Sequence, residues 1–413
     1  MSATRSALGD MKVIDFGVVG VAPMTAKYLA HHGATVVRIE SHTAPDVQRT
    51  MKPYKDEIPG LDRAAVFTWC NNSKLGVTLN LRKPEAGEVR QRLARWADIM
   101  INGFPPGTMK KLGLDYDNVK RINPKIVYFC TCVGGQYGPL ANFRAYGHQV
   151  AALSGVSELI GWPDREPTGV PFAYTDWISP RFGVTAIMAA IDYQRRTGRG
   201  QYIDQSQLEA TLHFFAPAIM DYAINGKILS RNGNRLPYAA PHGVYRCRGE
   251  DRWVAIAIFT DGEWQSFCKT VGEPVWTKEP KFASLTLRKE HEDELDVFVE
   301  KWTMNHTAEQ VTTLLQAAGV CTGVVESIKD LFEDPQLKHR EHFRYFEHAV
   351  IGRHAYENLA FRLSKTADCQ RAAPVMGAHN EYVLKELLGF DDDEIADLLE
   401  KGVVTTDADV PYY

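Results

Sequence analysis

A chain of 413 residues, 45% hydrophobic and 24% charged, has material for two domains with cores of their own. Its formal net charge of −4 excludes the broad basic surplus of nucleic-acid binding, while local cationic spots can still hold a small phosphorylated ligand. The seven cysteines form no C-x-x-C pair, there is no H-E-x-x-H, and "HREH" at 339–342 lacks partners for a zinc site.

The expectation is therefore a reduced, cytoplasmic, metal-free protein. It is strengthened by the opening "MSATRSALGDMKVIDFG", which has no apolar leader core, and by the lack of any run of transmembrane length. In chain order, "MKVIDFG" (11–17) reads as an apolar strand before a glycine-punctuated turn. "VAPMTAKYLAHHG" has helical spacing through Met24, Tyr28 and His32 and stops at Gly33, and "ATVVRIE" (34–40) is a second strand. Such a β-α-β unit predicts parallel α/β architecture. The alternation continues with "KLGVTLNL" as a strand and a helix over 85–97 that aligns Val89, Leu93 and Trp96. "DIMING" and "KIVYFCTCVG" follow as strands, with Cys130 and Cys132 on one face as packing. From 181, "RFGVTAIMAAIDYQRR" reads as a long helix ended by "TGRGQ", and "YIDQS" starts a new element. Near residue 225 the texture changes. "GVYRCRGEDRWVAIAIF" (243–259) alternates around a Gly-Glu-Asp turn as an antiparallel hairpin, with helices at 261–271, about 288–303 and 308–318. That is a smaller α+β segment. "DDDE" at 391–394 reads as solvated acid at a helix start.

The first turn, "GVVGVA" at 17–22, with Glu40 closing the second strand, invites a dinucleotide reading. G-x-x-G-x-A is not G-x-G-x-x-G, however, so it reads as a tight α/β turn and no nicotinamide is expected. Arg38, Lys74, Lys110 and Lys111 at the edges of the early strands suit a phosphate-rich ligand. Taken singly, each reads more readily as a solvated surface charge. The stretch "PFAYTDWISPRFG" (171–183) sets Asp176 among Phe172, Tyr174 and Trp177. Ser179 as N-cap and Pro180 as first helical residue would already start the helix, leaving Asp176 without a capping duty. A partly desolvated carboxylate has a raised pKa and can act as a nucleophile once ionised. It can equally bond backbone amides in a turn.

At this point the chain resembles the class III CoA-transferases, the formyl-CoA transferase or CaiB/BaiF-like family. The resemblance runs nearly end to end, through "VAPMTAKYLAHHGATVVRIE", "NNSKLGVTLNLRKPEA", "PPGTMKKLGLDYD", "GGQYGP", "AYGHQVAALSGV", "YTDW", "RRTGRGQYIDQS", "APHGVYRCRG", "EDPQLKHREHF" and "GAHNEYVLKELLGF". It implies a Rossmann-like large domain built from both chain ends, a smaller α+β central domain and an interlocked, ring-like dimer with its active site at the domain interface. The corresponding boundaries are 1–205 for the N-terminal part of the large domain, 206–228 for a linker, 229–318 for the small domain, and 319–413 for the return linker and C-terminal part. It implies Asp176 as the nucleophile that forms aspartyl anhydride and aspartyl-CoA intermediates, with acyl-CoA as substrate and no metal. Tyr146, His242 and Gly243 are the implied active-site neighbours, with oxyanion donors in the "APHG" loop (240–243). Implied CoA contacts are Val21, Ala22, Arg38, Lys74, Leu75, Asn102, Phe104, Lys110 and Lys111.

Aligned on "ALSG", the position where the family's racemases carry histidine is Tyr146 rather than His148, which favours transfer over α-proton chemistry. Intramolecular CoA transfer within one dicarboxylate would use the same aspartate. Departures from the resemblance fall at Gly20, Leu75 and Pro105, where many members carry Gln, Arg and Arg. Either other cations hold CoA, or a paralogous subunit shares the grip, as in the succinyl-CoA:benzylsuccinate enzymes. The partners expected are an acyl-CoA donor, a carboxylate acceptor such as an aryl-substituted dicarboxylate, and a second subunit, alike or paralogous. A CoA-binding subunit without catalysis is the expectation of another class.

Overall fold

A computed structural model of the chain describes residues 6–410. They fall into two compact units. The first takes residues 6–157, 169–228 and 341–410; the second takes Glu158–Thr168 and Leu229–Arg340. The sequence expectation is corrected in three places, the expected linker 206–228 being part of the first unit as the helices Gln207–Leu212 and Ala216–Asn225. Residues 158–168 group with the second unit, and that unit runs on to Arg340 rather than 318.

The first unit opens with β1 (Lys12–Phe16), α1 (Val21–His31), β2 (Thr35–Glu40), α2 (Ala65–Asn71), β3 (Leu75–Thr78), α3 (Gly87–Trp96) and β4 (Ile99–Asn102). The short helices α4 (Thr108–Lys111) and α5 (Tyr116–Ile122) lead to β5 (Val127–Cys132). Then come α6 (Gly147–Leu153), the single turn α7 (Val156–Leu159), whose last two residues group with the second unit, α8 (Tyr174–Thr197), β6 (Gln201–Ser206), α9 (Gln207–Leu212) and α10 (Ala216–Asn225). The six strands form one sheet in the order β3-β2-β1-β4-β5-β6, and each neighbouring pair is parallel. That order reverses direction between β1 and β4, which opens a crevice at the carboxyl edge.

Apolar runs such as "KVIDF" and "VYFCTC" make these strands because both faces are covered. On one face Ile14, Val37, Val77 and Met100 pack with Val89 and Leu93 of α3, and Trp96 rests against them. On the other, Val13, Val36, Ile99 and Phe129 pack with Ala26 and Leu29 of α1 and with Ile187 and Ile191 of α8. The C-terminal stretch returns to this unit. Val383, Leu384, Leu398 and Val403 join the first core, and the edge of β3 is closed by Thr405 N to Thr78 O (3.1 Å) and Asn80 N to Val403 O (2.7 Å). A covered edge offers no template for strand addition. The "DDDE" run starts the helix Asp392–Glu400, with Asp391 and Glu394 as its reciprocal caps.

The second unit holds an antiparallel sheet of β7 (His242–Arg246), β8 (Trp253–Ala257) and β9 (Cys321–Val325). Helices Asp261–Thr270, Glu292–Thr303 and Ala308–Ala317 cover it over Val254, Ile256, Phe267, Leu295 and Val311. The hairpin β10 (Phe343–His348) and β11 (Gly352–Glu357) belongs to the first unit.

Candidate active site

Two cavities open at the carboxyl edge of the large sheet, on either side of the β1–β4 reversal. The first, about 870 Å³, is walled by the loops after β1, β4 and β5, with Tyr146, Gly147, Asp176 and Gln207. The second, about 790 Å³, is walled by the loops after β1, β2 and β3 and by Phe104, Thr108 and Lys111. Val18 and Val19, in the loop after β1, line both.

Among the described residues, Asp176 is the only carboxylate lining the first cavity. It stands in the first turn of α8, which begins at Tyr174 and carries Pro180 inside it. The expected start at Ser179–Pro180 is therefore wrong. Ser179 is fully buried, its hydroxyl has no hydrogen-bond partner, and it caps nothing. Tertiary packing decides here, because Thr175, Ile178 and Ser179 are all buried. Pro180 removes the hydrogen bond that the Asp176 carbonyl would otherwise accept. The helix also turns Tyr174 and Trp177 away from the cavity, since adjacent helical residues do not share a face.

Among the described residues the Asp176 carboxylate has one direct side-chain donor. Gln207, at the start of α9, donates its Nε2 to Asp176 Oδ1 and also to Thr175 Oγ1 (2.8 Å). Thr175 Oγ1 in turn donates to Gly147 O (3.1 Å). Glycine backbones flank the carboxylate. A Cβ at Gly20 would lie 2.9 Å from Asp176 Cβ and 3.0 Å from its Oδ2, and one at Gly147 would lie 2.8 Å from Oδ1. Burial pushes the Asp176 carboxyl up to about 6, with Gln207 and the distant charge of His148 pulling the other way. Such a group is ionised at neutral pH yet poorly solvated, which suits a nucleophile.

The implied CoA contacts divide. Val21 and Ala22 line the first cavity with Tyr146, and the first turn of α1 there has no side-chain cap. Phe104, Lys111 and Arg38 line the second. Lys74, Leu75, Asn102 and Lys110 line neither. Arg38 and Lys74 are not free cations, contrary to expectation. Arg38 pairs with Asp46 at 2.6 Å and with Asp15 at 3.6 Å, and Lys74 binds Asp15 at 2.7 Å, Pro23 O at 2.8 Å and Asn71 at 2.7 Å. Leu75 belongs to the core, and Asn102 turns its amide to Phe129 O and Cys130. Glu40 pairs with buried Arg49.

His242 and Gly243 lie in the second unit, beside a separate cavity of about 200 Å³. Ala240 donates its amide to Ile258 O (3.1 Å) and Pro241 has none to give, so half of the "APHG" segment offers no oxyanion donor.

Sequence reasoning missed Gln207, Arg82 and Arg144. Arg144 is the cation on the wall of the first cavity, and Arg82 shares the second with Lys111. Their one legible signal was position, because each follows a strand's carboxyl end within a loop or helix start. Among the described residues no cluster of His, Cys, Asp or Glu is placed to hold a metal, and no helix is long and apolar enough to cross a membrane.

A sequence model described as CoA-transferase family III matches residues 8–380. The chain belongs to CoA-transferase family III. The succinyl-CoA–D-citramalate CoA-transferase of Chloroflexus aurantiacus is 28% identical over 96% of this chain and 98% of its own. The succinyl-CoA–L-malate CoA-transferase beta subunit of the same organism is 28% identical over 98% and 99%. The formyl-CoA:oxalate CoA-transferase of Escherichia coli O6:H1 is 27% identical over 96% and 99%. Among solved structures, a CAIB/BAIF family protein from Brucella suis superposes with a TM-score of 0.85 at 28% identity, over 93% of this chain and 100% of that one. This family III protein is a CoA-transferase whose substrate is an acyl-CoA, built on the parallel α/β sheet of that fold.

Proposed function

We propose that this transferase moves CoA from a donor acyl-CoA to a dicarboxylate acceptor, with Asp176 as the covalent nucleophile. The observation that carries the reading is a lone, poorly solvated carboxylate in a cavity at the sheet's reversal point. The Asp176 carboxylate attacks the thioester carbonyl, the C–S bond breaks, and a mixed anhydride and CoA thiolate result. The thiolate attacks Asp176 Cγ, releasing the donor acid as its carboxylate and leaving an aspartyl-CoA thioester. The acceptor carboxylate then attacks Cγ and expels the thiolate. The thiolate finally takes the acceptor's acyl carbon, and Asp176 is regenerated with no net proton change. Splitting one transfer this way lowers each barrier.

The free N–H groups in the uncapped first turn of α1 open on the same cavity and supply oxyanion donors there. The nucleotide end of CoA takes the second cavity, with Arg82 and Lys111 for its phosphates. The relatives named for citramalate, malate and oxalate support a dicarboxylate acceptor. Arg144 offers it a counter-charge, and the exposed rings of Phe143 and Tyr146 offer an aryl substituent a surface. The active assembly pairs the chain with a second copy or with a paralogous subunit, as the beta-subunit name of one relative suggests.

The test is to incubate the protein with succinyl-CoA and treat it with hydroxylamine or borohydride. The expected product is a peptide modified at Asp176. An unmodified Asp176, with CoA exchange surviving in Asp176→Ala, overturns the reading.

A further inference from the structure

Val19 stands at φ +59. A β-branched residue adopts that left-handed conformation only when its surroundings hold it there. The glycines on either side, Gly17 and Gly20, would take it freely, yet the strained residue is the valine.

Three buried side chains hold this loop. Asp15 Oδ1 accepts the Gly17 amide at 2.7 Å, and Arg38 Nη1 donates to Gly17 O. Asp46 Oδ1 accepts the Val19 amide at 3.4 Å and the Gln48 amide at 3.0 Å, while its Oδ2 takes Arg38 Nη2 at 2.6 Å. The loop so held does two things. Val18 and Val19 form the wall that both cavities share, and Gly20 then lies against the Asp176 carboxylate. Returning Val19 to an ordinary φ would redirect the chain at Gly20 and take that wall off the nucleophile.

We propose that Asp46 is a positioning residue for the transfer: it holds Val19 left-handed, so that the loop 17–20 sets the Asp176 carboxylate and the passage between the two cavities. The proposal rests on Asp176 being the nucleophile. Asp46 acts through the backbone and touches no reacting atom.

Glycine takes a positive φ without help, so the two residues must be coupled. The experiment measures the single-turnover rate of Asp176 acylation by succinyl-CoA, together with thermal melting, in four forms: wild type, Asp46→Ala, Val19→Gly and the double variant. Asp46→Ala is expected to slow acylation by about tenfold or more in the wild-type background, and by no more than about twofold in the Val19→Gly background. Asp46→Asn keeps an oxygen for the Val19 amide but loses the ion pair with Arg38. It should lower the melting temperature while losing less acylation than Asp46→Ala, and it serves where the alanine variant does not fold. Equal losses in both backgrounds, or an asparagine variant as slow as alanine, overturn the proposal. Absence of any Asp176 adduct in the wild type overturns the nucleophile reading itself, and the positioning role falls with it.

Discussion

Two carboxylates flank the reversal of the large sheet and meet opposite fates. Asp15 lies in β1 beneath a closed set of partners, Lys74, Arg38 and the Gly17 amide. Burial alone would raise its carboxyl, but the two cations more than offset this and hold it below the usual range. Asp176 is half-buried against glycine backbones with one neutral amide for support, and its carboxyl rises to about 6. The contrast separates scaffold from chemistry. A charge whose partners are complete is part of the framework, and one left short of them is available to react.

The largest effect should come from removing the under-partnered group. Asp176→Asn is expected to lower CoA exchange between succinyl-CoA and an acceptor acid by at least about 10³-fold, read by mass spectrometry of the CoA esters, with the fold intact. A variant that kept a tenth of the activity would break the comparison from the chemical side. Removing the well-partnered group should do the reverse. Asp15→Ala leaves Lys74 and Arg38 short of a counter-charge inside the core and is expected to cost about 3–5 kcal/mol in urea unfolding.

The same contrast predicts opposite dependences on pH. The folded carboxyl of Asp176 titrates near 6 against a reference of 3.8, so its relative stability is fully present below 3.8 and lost as pH rises through about 6. Asp176→Asn should therefore gain up to about 3 kcal/mol over wild type at pH 8 and nothing at pH 3. Acylation of the wild type should fall as pH drops through about 6, and Gln207→Leu should move that limb upward, because it removes the donor that favours the carboxylate. Smallest should be Arg82→Ala and Lys111→Ala, each expected to raise KM for acyl-CoA about five- to tenfold with kcat kept, since both cations stand at the wall of the second cavity.

Much of the sheet could be read from local pattern. Runs such as "KVIDF" and "ATVVRIE" are apolar on both faces, which only a covered parallel strand needs. Asp176 was legible as an acid without a capping duty, though for a reason that failed. Ser179–Pro180 is a strong local start signal, and packing of Thr175 and Ile178 begins the helix earlier. What the sequence hid was partnership at a distance. Lys74 meets Asp15 across 59 residues and Gln207 meets Asp176 across 31, and no periodicity reports such pairings. The basic residues were visible, but whether each faced a ligand or a carboxylate was not.

The closure of β3 has a consequence for how the protein is made. Thr78 bonds Thr405 across 327 residues, so the sheet's edge is synthesised long before the segment that covers it. At roughly 5–20 residues per second, that edge waits about 15–65 s for its cover on the ribosome. During that interval the parallel edge stays open, with Leu79 and Leu81 still short of Val403 and Val404, and is a template for unwanted pairing. Yield in a cell should thus depend on what shields this strand during translation, and shortening the chain before Val403 should deliver protein to aggregates even though every residue of the Asp176 cavity is present.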